Sequence, residues 1–290
     1  MGSSTLERVM HIDLKKEIKQ SSFGRTGISI LVLMIGIAIL APVFSSYEPD
    51  QQSTASLLPP SATHWLGTNH VGEDIWSQLL YGARTSLRVG FGVGIVSLLL
   101  AIFFGVSAAI IGGFYDSVLM RIVDALLVIP MIAVVILVGA YIKPGLFVLI
   151  LLLSALSWQG GARVLRAQTL SLKERGYVKA STTFGASLSY VAWRHILPDL
   201  TPILVVEFVY GVRRAVFIEA GLAFVGIGDP MAVSWGTMMH DAMSFSYLGV
   251  WVWWLVPAGV ALSLTIIGLT FISYAAESAL DPRLRGAEIA

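Results

Sequence analysis

The sequence predicts an all-α integral membrane protein with six transmembrane helices. Three observations predict it. Hydrophobic residues make up 56% of the 290 residues against only 13% charged. The apolar residues gather into runs long enough to cross a bilayer, and Lys and Arg stand in blocks between those runs. A soluble domain carries about 25% charged residues, and half that density cannot cover a globule of this length with water-facing groups. The net charge of +1 leaves no electrostatic footprint for nucleic acid. Cysteine is absent, which excludes disulfides, thiolate metal sites and cysteine catalysis.

A spanning helix needs about 20 largely apolar residues. The first candidate, Ile28–Phe44, carries no charge and ends at Pro42 and the polar stretch from Ser45 to Asp50. Arg8, Lys15, Lys16, Lys19 and Arg25 precede it like the basic region of a signal peptide. Its apolar run is too long for one and no A-x-A-like site follows, so it reads as a retained anchor. The second, Val89–Ile111, is charge-free and closes on Gly112-Gly113. The third, Leu119–Ile142, starts with Arg121 and Asp124 and then runs apolar through Pro130. Leu146–Trp158 is short and extends toward Leu165 as the fourth. The fifth, Leu200–Phe224, is interrupted by Glu207, Arg213, Arg214 and Glu219. Leu248–Tyr274, charge-free and rich in Trp at its start, is the sixth. None of these runs is a short alternating segment of the β-barrel kind.

Orientation follows from the basic residues. With a cytoplasmic N-terminus, one side holds the N-terminal cluster, Arg121, Arg163, Arg166, Lys173, Arg175, Lys179, Arg194, Arg283 and Arg285, and the other keeps Arg84, Arg88 and Lys143. The expected order is a cytoplasmic segment (1–26), the first transmembrane helix (27–44) and an extracytoplasmic segment (45–86). A core of five helices (87–275) with an inner loop at 166–198 and a cytoplasmic tail (276–290) complete it. Within the outer segment, Ile75, Leu79, Leu80 and Leu87 among polar residues predict an amphipathic helix lying on the membrane interface. The location implied is a multi-pass protein of the cytoplasmic (inner) membrane, in contact with the lipid bilayer and with both termini inside.

The inner loop carries the strongest functional signal. Tyr177, Val178, Ala180, Phe184 and Leu188 recur at helical spacing, Gly185 breaks the run, and a second helical stretch at 189–197 stops at Pro198. A helix–Gly–helix unit at a membrane surface suits docking into a groove on another protein; the alternative is an ordinary interfacial loop. Lys179-Ala180-Ser181, three residues, Gly185, nine residues and then His195-Ile196-Leu197-Pro198 resembles the EAA loop of ABC importer permeases. It departs from that pattern in Lys179, where Glu is common, and in Ser181, which replaces Ala. Further stretches match the peptide and nickel branch of the same family. They are Trp65 to Ile75 with Tyr81 to Leu87, Met120 to Asp124 with Pro130, Phe224 to Gly228 with Ser234 to Met238, and Leu280 to Leu284. The chain is thereby similar to the second ("C") permease subunit of dipeptide, oligopeptide or nickel importers, from about Gly24 to Arg285.

That resemblance implies the type I ABC importer permease fold and a heteromeric complex. Its members would be a homologous permease subunit, two ATPase subunits and an extracytoplasmic substrate-binding protein. It implies that Tyr177, Lys179, Ala180, Ser181, Phe184, Gly185, Ile196, Leu197 and Pro198 form the ATPase-coupling loop. ATP and Mg would belong to the partner subunits, with no cofactor in this chain. Peptide is the expected cargo, with nickel or another small solute as the alternative.

Charged residues inside a span normally face a cavity or a partner. Glu207, Tyr210, Arg213, Arg214 and Glu219 are therefore candidates for the translocation path, Glu207 and Arg214 sharing one helix face two turns apart. Ion pairing with the partner permease is the competing role. Arg121 and Asp124, three apart, are expected to pair with each other. Gly105, Ala109 and Gly113 form a small-residue face for close helix approach. Gly90, Gly92 and Gly94 lie inside an apolar run without a following Lys, and no phosphate-binding G-x-x-x-x-G-K-[ST] occurs, so ATP hydrolysis is not expected here. His64 and His70 read as surface histidines rather than metal ligands. A membrane-embedded enzyme would need a catalytic set, and Ser154 and Ser157 lack a nearby base. A secondary transporter working alone would show internal repeats, and none is evident.

Overall fold

A computed structural model of the chain describes residues 18–142, 145–229 and 231–280. The N-terminal basic cluster up to Lys16, Lys143, Pro230 and the tail pair Arg283 and Arg285 lie outside the described residues. The elements are α1 (Ser22–Phe44), α2 (Ile75–Ile111), α3 (Gly113–Val128), α4 (Met131–Ile142), α5 (Leu146–Ala155) and α6 (Trp158–Lys173). They continue with α7 (Gly176–Thr183), α8 (Leu188–Val191), a π-turn (Ala192–Ile196), α9 (Leu197–Phe224), α10 (Trp235–Ser244) and α11 (Trp251–Leu280). Among the described residues the only β feature is an isolated bridge between Thr68 and Asp74.

Three helices, α1, α2 and α11, are long and apolar enough to cross a membrane by themselves. Two further candidates are broken. α3 and α4 meet at 72°, and α5 and α6 at 43°. The first break lies at Ile129, which adopts extended geometry (ψ 122°) because Pro130 disfavours the helical conformation in the residue before it. The third and fourth apolar runs are thus each a bent pair rather than one straight rod. α9 is 28 residues long, and its apolar run is interrupted by the four charges noted above.

The expected interfacial helix is not a separate element. Residues 75–88 are the first turns of the continuous 37-residue α2, capped by Asp74, whose Oδ2 accepts from the Ser77 N–H at 2.8 Å. The preceding loop is fastened to this start. Asn69 Oδ1 accepts from the N–H groups of Val71 and Glu73 at 3.0 and 2.9 Å, and Glu73 Oε2 accepts from Asn69 Nδ2 and Gln78 Nε2. Thr68 and Asn69 are accordingly buried. The Gly67-Thr68-Asn69 to Glu73-Asp74 motif is therefore a folding device that seats the loop on α2.

α2 is the axis of the bundle, packed against α6, α9, α1 and α5. Small residues set the approach. A Cβ on Gly105 would come within 2.4 Å of the Ala162 carbonyl oxygen, and one on Gly94 within 2.6 Å of Val212 Cγ2. Gly113 takes no part in that face: it has open space around it and φ +61°, and with Gly112 (φ +71°) it forms the turn into α3. Buried clusters run the length of α2. Ile75, Trp235, Met238 and Trp254 pack near its start, and Ala101, Val123, Trp158 and Leu165 near its end. Outside, large apolar side chains such as Val32, Leu33, Val43, Phe103, Ile132 and Phe147 are exposed. A water-soluble protein does not present so continuous an apolar surface, and a lipid-facing one does.

Two expected roles are corrected. Asp124 accepts from Arg163 of α6 and not from Arg121, so a contact between helices displaces the local i, i+3 pair. The histidines are partly buried and packed against other side chains rather than free on the surface. His64 Nδ1 sits 2.9 Å from Asp74 Oδ1 with its ring on Tyr47. His70 stacks on Phe245 and Trp254, its Nδ1 buried.

Candidate functional site

The segment between α6 and α9 forms an elbow. α7 ends at Thr183 with Phe184 as its C-cap, and Gly185 turns the chain with φ +85°. Its N–H donates to the Thr182 carbonyl and the Ala186 N–H to that of Ser181, a glycine-dependent helix end. Ser187 then caps α8 by accepting from the Tyr190 N–H. The π-turn follows and runs into α9 without interruption. Pro198 is thus no stop: it occupies the first turn of α9, where its missing N–H is tolerated.

One side of the elbow is anchored. Val178, Val191, Ile196 and Leu200 are buried with Val106, Ile110 and Leu172 beneath the end of α2. Lys173 Nζ donates to the carbonyls of Ala109 and Ile110 at 2.7 and 3.3 Å, placing a cation on the negative end of α2. Ser181, one of the two departures from the EAA pattern, is 3.0 Å from His195 Nε2. Lys179, the other, pairs with Glu174 at 2.6 Å. That ammonium holds the Glu174 carboxyl below its usual range, though so exposed a pair contributes little to stability. Tyr177 donates to Asp199, and burial together with that bond pushes its phenol up.

The other side is bare. Phe184 is 91% and Trp193 75% exposed, with Leu188 and Tyr190 about half exposed beside them. Lys179 and Ala180 are exposed too, and Leu197 is half-buried. The regular spacing read from the sequence therefore divides, Val178 facing inward and Phe184 and Leu188 outward.

Between α2, α6, α9 and α11 lies a cleft of about 390 Å³. Ser97, Trp158, Glu207, Tyr210, Arg214 and Glu277 give it its chemical character. Three of the five path candidates are thereby brought together. Arg213 points elsewhere: its guanidinium donates to Thr270 Oγ1 at 3.2 Å and lies 5.1 Å from the Tyr210 ring centre. Glu219 is 4% exposed and accepts from Ser86 Oγ at 3.1 Å, while Ser86 Oγ accepts from the Trp235 N–H at 3.4 Å. It belongs to the joint of α2, α9 and α10 and not to the cleft. Glu277, seventy residues beyond Glu207 in the chain, completes the acidic end and is not among the residues the sequence singles out. Its only local signal is a carboxylate at the close of an apolar run. No group of three or more His, Asp or Glu forms a metal site among the described residues.

Comparison with known proteins then gives two family matches. Residues 101–286 match the family described as a binding-protein-dependent transport system inner membrane component. Residues 16–60 match the N-terminal transmembrane domain of oligopeptide transport permease C. The dipeptide transport system permease protein DppC of Bacillus subtilis (strain 168) is 36% identical over 276 residues, covering 94% of this chain and 86% of that one. The oligopeptide transport system permease protein OppC of the same organism is 36% identical over 279 residues, covering 94% and 90%.

Proposed function

The chain belongs to the family of binding-protein-dependent transport system inner membrane components, and from that membership we propose that it is the transmembrane permease subunit of an ATP-driven importer of di- or oligopeptides. In this reading α1, α2, the bent pairs α3–α4 and α5–α6, α9 and α11 make six crossings, with both termini and the elbow cytoplasmic. A homologous permease supplies the other half of the path, two ATPases dock below, and an extracytoplasmic binding protein delivers cargo to the loop at 45–74.

The observation that carries the reading is the elbow, a buried foot beneath α2 with Phe184 and Trp193 bare on the opposite side. Exposed aromatic side chains of this size are the usual anchors of a protein interface. The elbow lies in the chain between α6 and α9, and both helices line the cleft through Trp158, Glu207, Tyr210 and Arg214. Closure of the ATPases on ATP and Mg would shift the elbow as a rigid body and move both cleft walls with it. This chain's residues bind, transmit and line, while hydrolysis takes place in the partners. The test is reconstitution of the complex in liposomes. Peptide uptake should require ATP, the binding protein and an intact elbow, and uptake by this chain without ATPases would overturn the reading.

A further inference from the structure

Among the described residues the charges of the cleft have no matching partners. Glu207 is half-buried, Glu277 faces it from α11, and among the described residues neither carboxylate accepts a hydrogen bond or forms an ion pair. Among the described residues Arg214's hydrogen-bond partner is the neutral Met131 Sδ, at 3.6 Å. Glu207 and Arg214 form no ion pair with one another, and seven residues of helix set their backbones about 10.5 Å apart along α9. Unpaired charges within a membrane-spanning segment are strongly unfavourable, so something else must meet them during the working cycle. An extended chain spans about 3.3–3.6 Å per residue, which puts the two charged ends of a tripeptide about 10 Å apart. Tyr210 and Trp158 lie in the same cleft and offer ring surface to the intervening side chains.

We propose that Glu207 and Glu277 together receive the ammonium end of a short peptide and Arg214 its carboxylate end. The cleft would then select peptides with free termini, amino end toward the Gly185 elbow. This rests on the reading of the chain as a peptide permease. Two carboxylates at one end and a guanidinium at the other match a zwitterion in sign, and the two-turn offset of Glu207 and Arg214 along α9 is of the same length. Arg214 is the cation among the lining residues, so the carboxylate end falls to it.

The experiment measures trialanine uptake by the complete complex, with ATPases and binding protein, in liposomes. Two charge-removing variants, the double Glu207→Gln/Glu277→Gln and the single Arg214→Gln, are compared with the charge-keeping Glu207→Asp and Arg214→Lys. Each charge-removing variant should lower uptake at least about tenfold, the size of one lost charge-assisted contact. The charge-keeping variants should retain uptake within about threefold, and the partner permease should co-purify in full throughout. Uptake within about twofold of wild type in the charge-removing variants would overturn the proposal. Loss of the partner permease from them would overturn it too, by assigning the charges to the subunit interface. A wild-type complex that assembles but takes up no peptide would instead overturn the peptide reading on which the proposal rests.

Discussion

Ser181 Oγ and His195 Nε2 lie 3.0 Å apart, so the helix before Gly185 and the π-turn after it are fastened across the elbow. The turn itself needs φ +85° at Gly185, where a Cβ would find open space. Any penalty for a side chain there is therefore conformational and not steric crowding, and it is largest for a β-branched residue. Gly185→Val should leave the membrane level normal and abolish both ATPase recovery and uptake. Ser181→Ala removes one neutral hydrogen bond, about 0.5–1.5 kcal/mol, and should reduce recovery only severalfold. Co-purification of the ATPases with tagged permease reads both, and full recovery with Gly185→Val would show that the elbow does not couple.

Phe184 and Trp193 can be tested separately from folding. Because both are largely exposed in the isolated chain, Phe184→Asp and Trp193→Asp should leave the melting temperature of the purified permease within about a degree or two. ATPase recovery should fall at least about tenfold, since buried aromatic anchors contribute 2 kcal/mol or more to an interface. A drop in melting temperature with unchanged recovery would place these side chains in the fold of the chain instead.

Much of this arrangement was legible in the sequence because its causes are local. Gly185 announces a left-handed turn, the apolar runs announce spans, and Pro130 carries the reason for the bend at Ile129 even though that run reads as continuous. What stayed hidden was set by contacts between helices. Asp124 chooses Arg163 over its neighbour Arg121, and Glu277 joins Glu207 only because α11 packs along α9. Glu219, apparently equivalent to Glu207 on composition, is drawn into the interior by Ser86 of α2. The packing of His70 is hidden for a similar reason, since its stacking partners Phe245 and Trp254 come from the far end of the chain. Nor does any Pro or Gly mark the break between Ala155 and Trp158.

Topology gives an independent prediction. Thr54, in the loop ahead of α2, and Ser171, near the end of α6, are both exposed and separated by the bundle. A cysteine-free chain makes single-cysteine variants clean probes. In intact cells an impermeant thiol reagent should label Thr54→Cys and spare Ser171→Cys until the membrane is opened. The reverse pattern would invert the protein in the bilayer, with the elbow outside and out of reach of any cytoplasmic ATPase.

α2 and α6 approach closely at Gly105, while Gly36 of α1 has open space around it, so the same substitution should act differently at the two glycines. At Gly105 an added Cβ would fall 2.4 Å from the carbonyl oxygen of Ala162 and 3.0 Å from its Cα, backbone atoms that cannot rotate away. At Gly36, in the middle of α1, an added Cβ meets nothing within 4 Å. Both positions are helical, so replacing Gly relieves the same backbone entropy at each, about 1 kcal/mol in favour of the larger residue. The sign of the outcome then depends only on packing. Gly105→Leu must force α6 away from α2. Such overpacking costs about 1–3 kcal/mol where side chains can adjust, and more where backbone must move. α6 carries Arg166, whose guanidinium grips Asp116 of α3 at 2.5 and 2.6 Å, and Lys173, which closes the end of α2. Both contacts stretch if α6 retreats. Gly105→Leu should therefore lower the melting temperature in detergent by several degrees and reduce the monodisperse fraction, while Gly36→Leu should match or exceed wild type. Equal behaviour of the two variants would show that α6 does not pack on α2 through Gly105.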